Sequence, residues 1–306
     1  LVAARVLHEE GRAVLVLDKG RGFGGRMAAR QFGGARFEHG AHFLEARSAD
    51  FKTMLEEWAA AGVVAPWYEP DPSPARGSFR YRGKPDMNAL AAHLAEGLQV
   101  RRSQRVTAIR KANAGWEAVC EGQERFRARQ VLLTCPVPQA LDLLAAGGVS
   151  LDPADHEKLS AVTYESCLTV MAVLTGPSRI ASPGLAVPED PRLDRICDHQ
   201  VQGSSAEPAV TIQTGHDFSA AGWERPRDDT AREILDAAAP YLGSAVQEYQ
   251  IHGWRYCRPI LGVAESALEL KNNPGLFLAG DAFGGKDLEG AALSGKAAAR
   301  LLLTPP

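Results

Sequence analysis

Apolar residues recur at helical spacing in some stretches of this chain and run continuously or alternate in others, which outlines an α/β protein. Residues Leu1 to Gly11 read as a short amphipathic helix stopped by a glycine. Ala13-Val-Leu-Val-Leu-Asp18 is a continuous apolar run ending in an acid, the mark of a buried parallel strand. Phe51, Met54, Leu55 and Trp58 put a helix over 51–61, and a second helix is predicted over 86–98. Between them, 66–78 carries Pro66, Pro70, Pro72, Pro74 and Gly77 and reads as a loop.

Residues 99–135 alternate in the manner of β-structure and end at Pro136 and Pro138. Residues 162–174 and 208–214, apolar and β-branched, predict strands of a second sheet. The stretch 177–208 reads as loop-rich, and 228–238 as a helix limited by Pro240. Leu276-Phe-Leu-Ala-Gly-Asp281 predicts a strand running into a glycine loop, followed by a small-residue helix from Ala291 to Leu303.

Composition narrows the class without choosing a function. The 306 residues are 45% hydrophobic and 23% charged, ordinary for a globular chain and unlike a disordered one. A net charge of -3 gives no basic excess for nucleic acid. No uninterrupted apolar run has spanning length and no signal peptide is evident, so a cytoplasmic protein is expected. Cys120, Cys135, Cys167, Cys197 and Cys257 are scattered without a CxxC pair, which argues against a disulfide framework or a zinc site. His39 and His42 have a metal-like spacing but no third ligand nearby, so no metal is expected.

Three segments carry candidate chemistry. A helix, a glycine turn and an apolar strand ending in Asp18 form the second half of a dinucleotide-binding βαβ unit, where the acid accepts from a ribose hydroxyl; the alternative is an acid serving its own turn. Lys19 opens the loop that follows, and Gly24-Gly25-Arg26-Met27 comes next. Its glycines permit close backbone approach and its guanidinium suits a pyrophosphate; the alternative is a flexible loop with a solvated arginine. Gly280-Asp281 and Glu289-Gly290-Ala291 flank a second strand-to-helix turn, whose helix N-terminus suits an anion; the alternative is an acid cap with ordinary turn glycines.

Together with Thr134-Cys-Pro-Val-Pro-Gln139 and His252-Gly-Trp-Arg-Tyr-Cys-Arg-Pro259, these segments make the whole chain resemble the bacterial renalase-like FAD proteins of the amine-oxidase and glutathione-reductase-like flavoprotein superfamily. The resemblance implies an FAD-binding Rossmann-like domain from 1–44, 84–140 and 250–306, and an inserted, mostly antiparallel substrate domain from 45–83 and 141–249. It implies non-covalent FAD, with Asp18 at the adenosine ribose and Arg26 at the pyrophosphate. Val106 would meet adenine, Asp281 the ribityl–pyrophosphate segment, and Glu289, Gly290 and Ala291 the isoalloxazine. The Asp18 and Asp281 turns are expected to converge on one extended nucleotide. The first strand and G-x-G-x-x-G turn of the family are not among the 306 residues, so a truncated, unstable or cofactor-free chain is expected.

The same resemblance implies oxidation of mis-reduced NAD(P)H isomers, with O2 reduced to hydrogen peroxide. Such hydride chemistry needs a flat substrate held in a dry site more than it needs acid–base groups. Trp254 and Tyr256 are the candidate aromatic walls, with packing as their alternative role, and His252 and Arg255 are candidate contacts to carboxamide or phosphate. An amine oxidase, kept open by Lys286, and an inactive flavoprotein relative are the competing readings. No oligomeric state is predicted.

Overall fold

A computed structural model of the protein describes residues 1–69 and 79–304, and its contacts divide the chain into two compact units. One comprises Leu1–Phe23, His93–Tyr164 and Arg258–Pro306; the other comprises Gly24–Ala92 and Glu165–Cys257. The fold is mixed α/β.

The first unit is built on parallel strand pairs. Leu15–Leu17 pairs in parallel with Gln99–Arg101, and Val131–Leu133 with Leu276–Leu278. A three-stranded antiparallel sheet, Val106–Ala112, Gly115–Cys120 and Arg125–Ala128, lies in the same unit. The core gathers Ile109, Trp116, Leu144, Leu276, Leu278 and Phe283. Helix Val2–Glu9 packs on the last helix, Leu288–Leu303. Small residues make the approach possible: a Cβ added at Gly295 would stand 3.3 Å from the Ala3 amide nitrogen.

The second unit centres on a five-stranded sheet. Its order is Leu185–Ala186, Leu193–Asp198, Ala209–Thr214, Thr163–Leu174 and the long strand Val246–Leu261. Residues 167–174 are buried without a break, because the sheet is covered on both faces. Leu168, Val170, Ala172 and Leu174 pack toward helix Arg227–Leu242, while Met171 and Val173 pack with Phe37 on the opposite face.

Several expectations are corrected. Of the loop expected over 66–78, residues 66–68 belong instead to strand Val64–Tyr68, and residues 70–78 lie outside the described residues. The stretch 177–208 holds an internal strand, Leu193–Asp198, whose Asp194 and Arg195 mask the apolar signal of Leu193, Ile196 and Cys197. The helix expected to stop before Pro240 runs from Arg227 to Leu242 with the proline inside its last turn. The β-rich stretch does end before Pro136 and Pro138, and the prolines open the next element: Pro136 caps helix Val137–Ala146 and Pro138 sits in its first turn.

Candidate functional site

In the first unit, Asp18 and Asp281 each follow the carboxyl end of a parallel strand. Asp18 follows strand Leu15–Leu17, and its Oδ1 accepts from the Gly20 amide at 2.8 Å, so the carboxylate organises its own turn. Its backbone is tied down as well: Asp18 N donates to Arg101 O and Gln104 N to Asp18 O, each at 2.9 Å. The next residue, Lys19, acts electrostatically on Cys135, whose thiol burial pushes up to about 11 while the lysine opposes the shift. Thr134, beside that cysteine, places its carbonyl 3.6 Å from where a Cβ of Gly280 would stand.

The second glycine turn is equally constrained. Gly280 has φ +138°, and its amide donates to Ser294 Oγ at 2.9 Å. Asp281 is 8% exposed and Glu289 5%, two carboxylates set inside the fold beside the start of the last helix. Gly285 and Gly290 touch backbone to backbone: a Cβ on the former would stand 2.6 Å from Gly290 Cα, and one on the latter 2.5 Å from Gly285 Cα. Asp287 caps the helix, accepting from Gly290 N at 3.0 Å through Oδ1 and from Ala291 N at 2.9 Å through its carbonyl. The Gly290 and Ala291 amides are therefore engaged by the helix cap. Val106 opens its strand opposite Cys120, at a register shift in the ladder. These residues suit a flavin nucleotide: buried acids at strand ends, beside backbone bare of side chains.

Gly24, Gly25, Arg26 and Met27 belong to the second unit, with Trp254, Tyr256, His252 and Arg255. Gly25–Met27 is one 3-10 turn entered through Gly24 at φ +106°. The Arg26 guanidinium donates to the carbonyls of Tyr256 at 3.2 Å and Cys257 at 3.1 Å, so this arginine clamps the long strand.

On the same strand, His252 and Trp254 meet His39. The His39 and Trp254 rings stack at 5.2 Å between centroids, His39 and His252 meet edge-on at 5.0 Å, and Trp254 Nε1 donates to His39 O at 2.7 Å. Burial pushes the His39 imidazole down to about 3, with His252 and Arg30 adding to the shift. Burial, then Arg30 and Arg227, also lowers His252. Both rings are thus neutral near pH 7, in a field made positive by arginines. Arg227 and Arg255 lie over the Trp223 ring, 5.0 and 5.5 Å from its centroid. Arg227 Nη1 is buried without a hydrogen-bond partner, as is His39 Nδ1.

Behind this cluster lies a buried polar network. Glu38 is fully buried; it accepts from Met87 N at 3.1 Å and from Gln202 Nε2 at 3.2 Å. Gln202 also donates to His42 O at 3.1 Å, and His199 bonds Gln202 and Thr211 at 3.2 and 2.6 Å. Burial raises Glu38 to about 8 and lowers His199 to about 4. His42, considered as a metal ligand by spacing, bonds the Glu38 carbonyl at 2.9 Å instead. Among the described residues no group of three or more His, Cys, Asp or Glu side chains is placed to hold a metal ion, and no helix is long and apolar enough to cross a membrane.

Sequence reasoning did not reach Arg30, Gln202, His199, Trp223 or Arg227. They come from separate segments with no motif of their own, and only the sheet brings them together. Lys286, raised as a flavin-loop lysine, donates to the Ile260 carbonyl.

Comparisons with known proteins fit this architecture. The profile of an NAD(P)-binding Rossmann-like domain matches residues 1–58. A putrescine oxidase variant redesigned at its cofactor site is 14% identical, with a TM-score of 0.74 over 99% of this chain and 96% of its own. A CLA-producing fatty acid isomerase from P. acnes is 12% identical, with a TM-score of 0.72 over 99% of this chain and 96% of its own. An oxidoreductase from Methanosarcina mazei is 12% identical, with a TM-score of 0.67 over 98% and 97%. At such identities the likeness is one of fold. The profile of flavin-containing amine oxidoreductases matches residues 62–303, most of the chain; the protein belongs to that family and is an FAD-dependent oxidoreductase.

Proposed function

We propose that this protein is a renalase-type oxidase: it oxidises mis-reduced NAD(P)H isomers to NAD(P)+, with O2 reduced to hydrogen peroxide. The chemistry that bound FAD supplies is acceptance of a hydride and return of the electrons to O2. In this reading Asp18 and Asp281 hold ribose and ribityl hydroxyls of the cofactor, each from the carboxyl end of a parallel strand. His252 and Trp254 supply the flat surface that orients a dihydropyridine, and Arg227 binds the nucleotide's phosphates.

The sign of charge around His252 carries the reading. Arg30 and Arg227 both act on that ring, and Arg227 Nη1 is buried with no partner. An anionic dinucleotide satisfies that donor, whereas a protonated amine is repelled. The second reading, a flavin amine oxidase, is favoured by the family profile and by the putrescine oxidase likeness.

One experiment separates them. The FAD-loaded protein is mixed anaerobically with mis-reduced NADH isomers or with putrescine, and loss of flavin absorbance is followed. The isomers bleach it rapidly and putrescine does not. Arg227→Met raises KM for the isomers about tenfold or more while leaving FAD content unchanged. Bleaching by putrescine alone establishes the amine oxidase instead.

A further inference from the structure

His252 and Trp254 stand two residues apart on the outer strand Val246–Leu261, so their side chains leave the same face of it. Both rings are half-buried, which by itself leaves them room to turn. A single residue from a different segment takes that room away. His39 stacks on Trp254 with 27° between the ring planes and 5.2 Å between centroids, and it meets His252 edge-on at 5.0 Å. Its carbonyl accepts from Trp254 Nε1 at 2.7 Å. The His252 and Trp254 rings complete the triangle, 4.4 Å apart and tilted by 66°. His39 is only 4% exposed, so a flat ligand meets the other two rings and not this one.

The base under His39 is firm. The fully buried Glu38 side chain accepts from Met87 N and Gln202 Nε2, and the Glu38 carbonyl bonds the His42 ring. The Gly40 carbonyl accepts from Gln213 Nε2, and Ala41 N donates to Arg26 O. Arg26, Met87, Gln202 and Gln213 lie in different elements, so residues 38–42 cannot shift without breaking bonds to several of them. Burial keeps the His39 imidazole neutral near pH 7, so it lies beside Arg30 without a second positive charge.

We propose that His39 is a positioning residue for the reaction: it sets the plane of Trp254 and the edge of His252. The role rests on the function proposed above, in which those two rings orient the dihydropyridine. Orientation is what hydride transfer to a flavin demands of its site, and a ring free to tilt wastes binding in unproductive poses.

The test follows anaerobic flavin reduction by mis-reduced NADH isomers in the FAD-loaded protein. His39→Ala should lower the rate at saturation about tenfold or more and change the half-saturating concentration less than about twofold, because orientation is lost while the phosphates are still bound. His39→Phe restores a flat ring and should recover most of the rate, which a role for the imidazole nitrogens would not allow. A second readout needs no substrate. The five tryptophans are replaced by fluorotryptophan and read by fluorine NMR, the Trp254 resonance being the one lost in Trp254→Phe. His39→Ala should shift or broaden that resonance and leave the other four in place, and His39→Phe should keep it narrow. Should the alanine variant not fold, His39→Leu fills the space without a flat face and carries the same expectations. A Trp254 resonance that neither variant moves overturns the proposal. So does an undiminished reduction rate in those variants when the isomers bleach the wild type, or rescue by His39→Gln but not by His39→Phe. A displaced resonance in a protein that no isomer bleaches overturns the proposed substrate instead, and upholds His39 as the residue that sets Trp254.

Discussion

Gly40 lies against the main chain of Arg26, where an added Cβ would overlap the arginine carbonyl oxygen, and Ala41 N donates to that same oxygen at 2.9 Å. The Gly40 carbonyl in turn accepts from Gln213 Nε2 at 2.7 Å. Backbone meets backbone here, so neither side can yield by turning a rotamer. Gly40→Ala should therefore destabilise the protein by ~1–3 kcal/mol, seen as a lower urea midpoint. Gly22→Ala, where nothing lies within 4 Å of the added carbon, should change the midpoint little. The two glycines look alike in sequence, and only the folded neighbourhood separates them. The same is true of Arg26. Its contacts are non-local: its Nη1 donates to two carbonyls some 230 positions away in the chain. Asp18, by contrast, was placed from sequence, because its position depends on local order: an apolar strand, then an acid, then a glycine.

At the level of elements, the last helix depends on its cap. Asp287 Oδ1 accepts from Gly290 N at 3.0 Å at the start of Leu288–Leu303. Asp287→Ala should cost ~1 kcal/mol in urea unfolding, and Asp287→Asn should restore most of it. That helix was legible because its small residues and preceding glycines form a continuous local pattern. Strand Leu193–Asp198 was not: its charged Asp194 and Arg195 form an ion pair at 2.9 Å along the strand, and its buried partners are supplied by other segments. Helix Arg227–Leu242 shows the limit of a breaker rule. Pro240 forfeits one amide donor, but the helix ends two residues later, where little ladder remains to lose. The strand covering residues 252–259 was recognised as a motif, whereas its full run from Val246 to Leu261 follows from its place at the edge of the five-stranded order.

For the whole molecule, the buried titratable groups set a stability optimum near neutrality. His39 falls to about 3 and His199 to about 4 from an ordinary 6.5. The folded state keeps these rings neutral while the unfolded chain binds protons below ~6.5, so stability is lost as pH falls through that window. Glu38 is the opposite case. Raised from 4.5 to about 8, it holds its proton when folded and loses it when unfolded, so its contribution declines as pH rises between those values. The histidines outnumber it below ~6.5, and above that they no longer titrate in either state. Urea midpoints measured against pH should climb from pH ~4 to ~6.5 and then decline toward pH ~8; Glu38→Gln should remove the decline. A second property belongs only to the whole. The chain passes from one compact unit to the other after Phe23, Ala92, Tyr164 and Cys257, and helix Val2–Glu9 packs on Leu288–Leu303. Neither unit is thus a continuous stretch that a ribosome can finish early. Helix Val2–Glu9 must wait, without that partner, until Leu288–Leu303 has been translated, and its apolar face is in a chaperone's reach throughout.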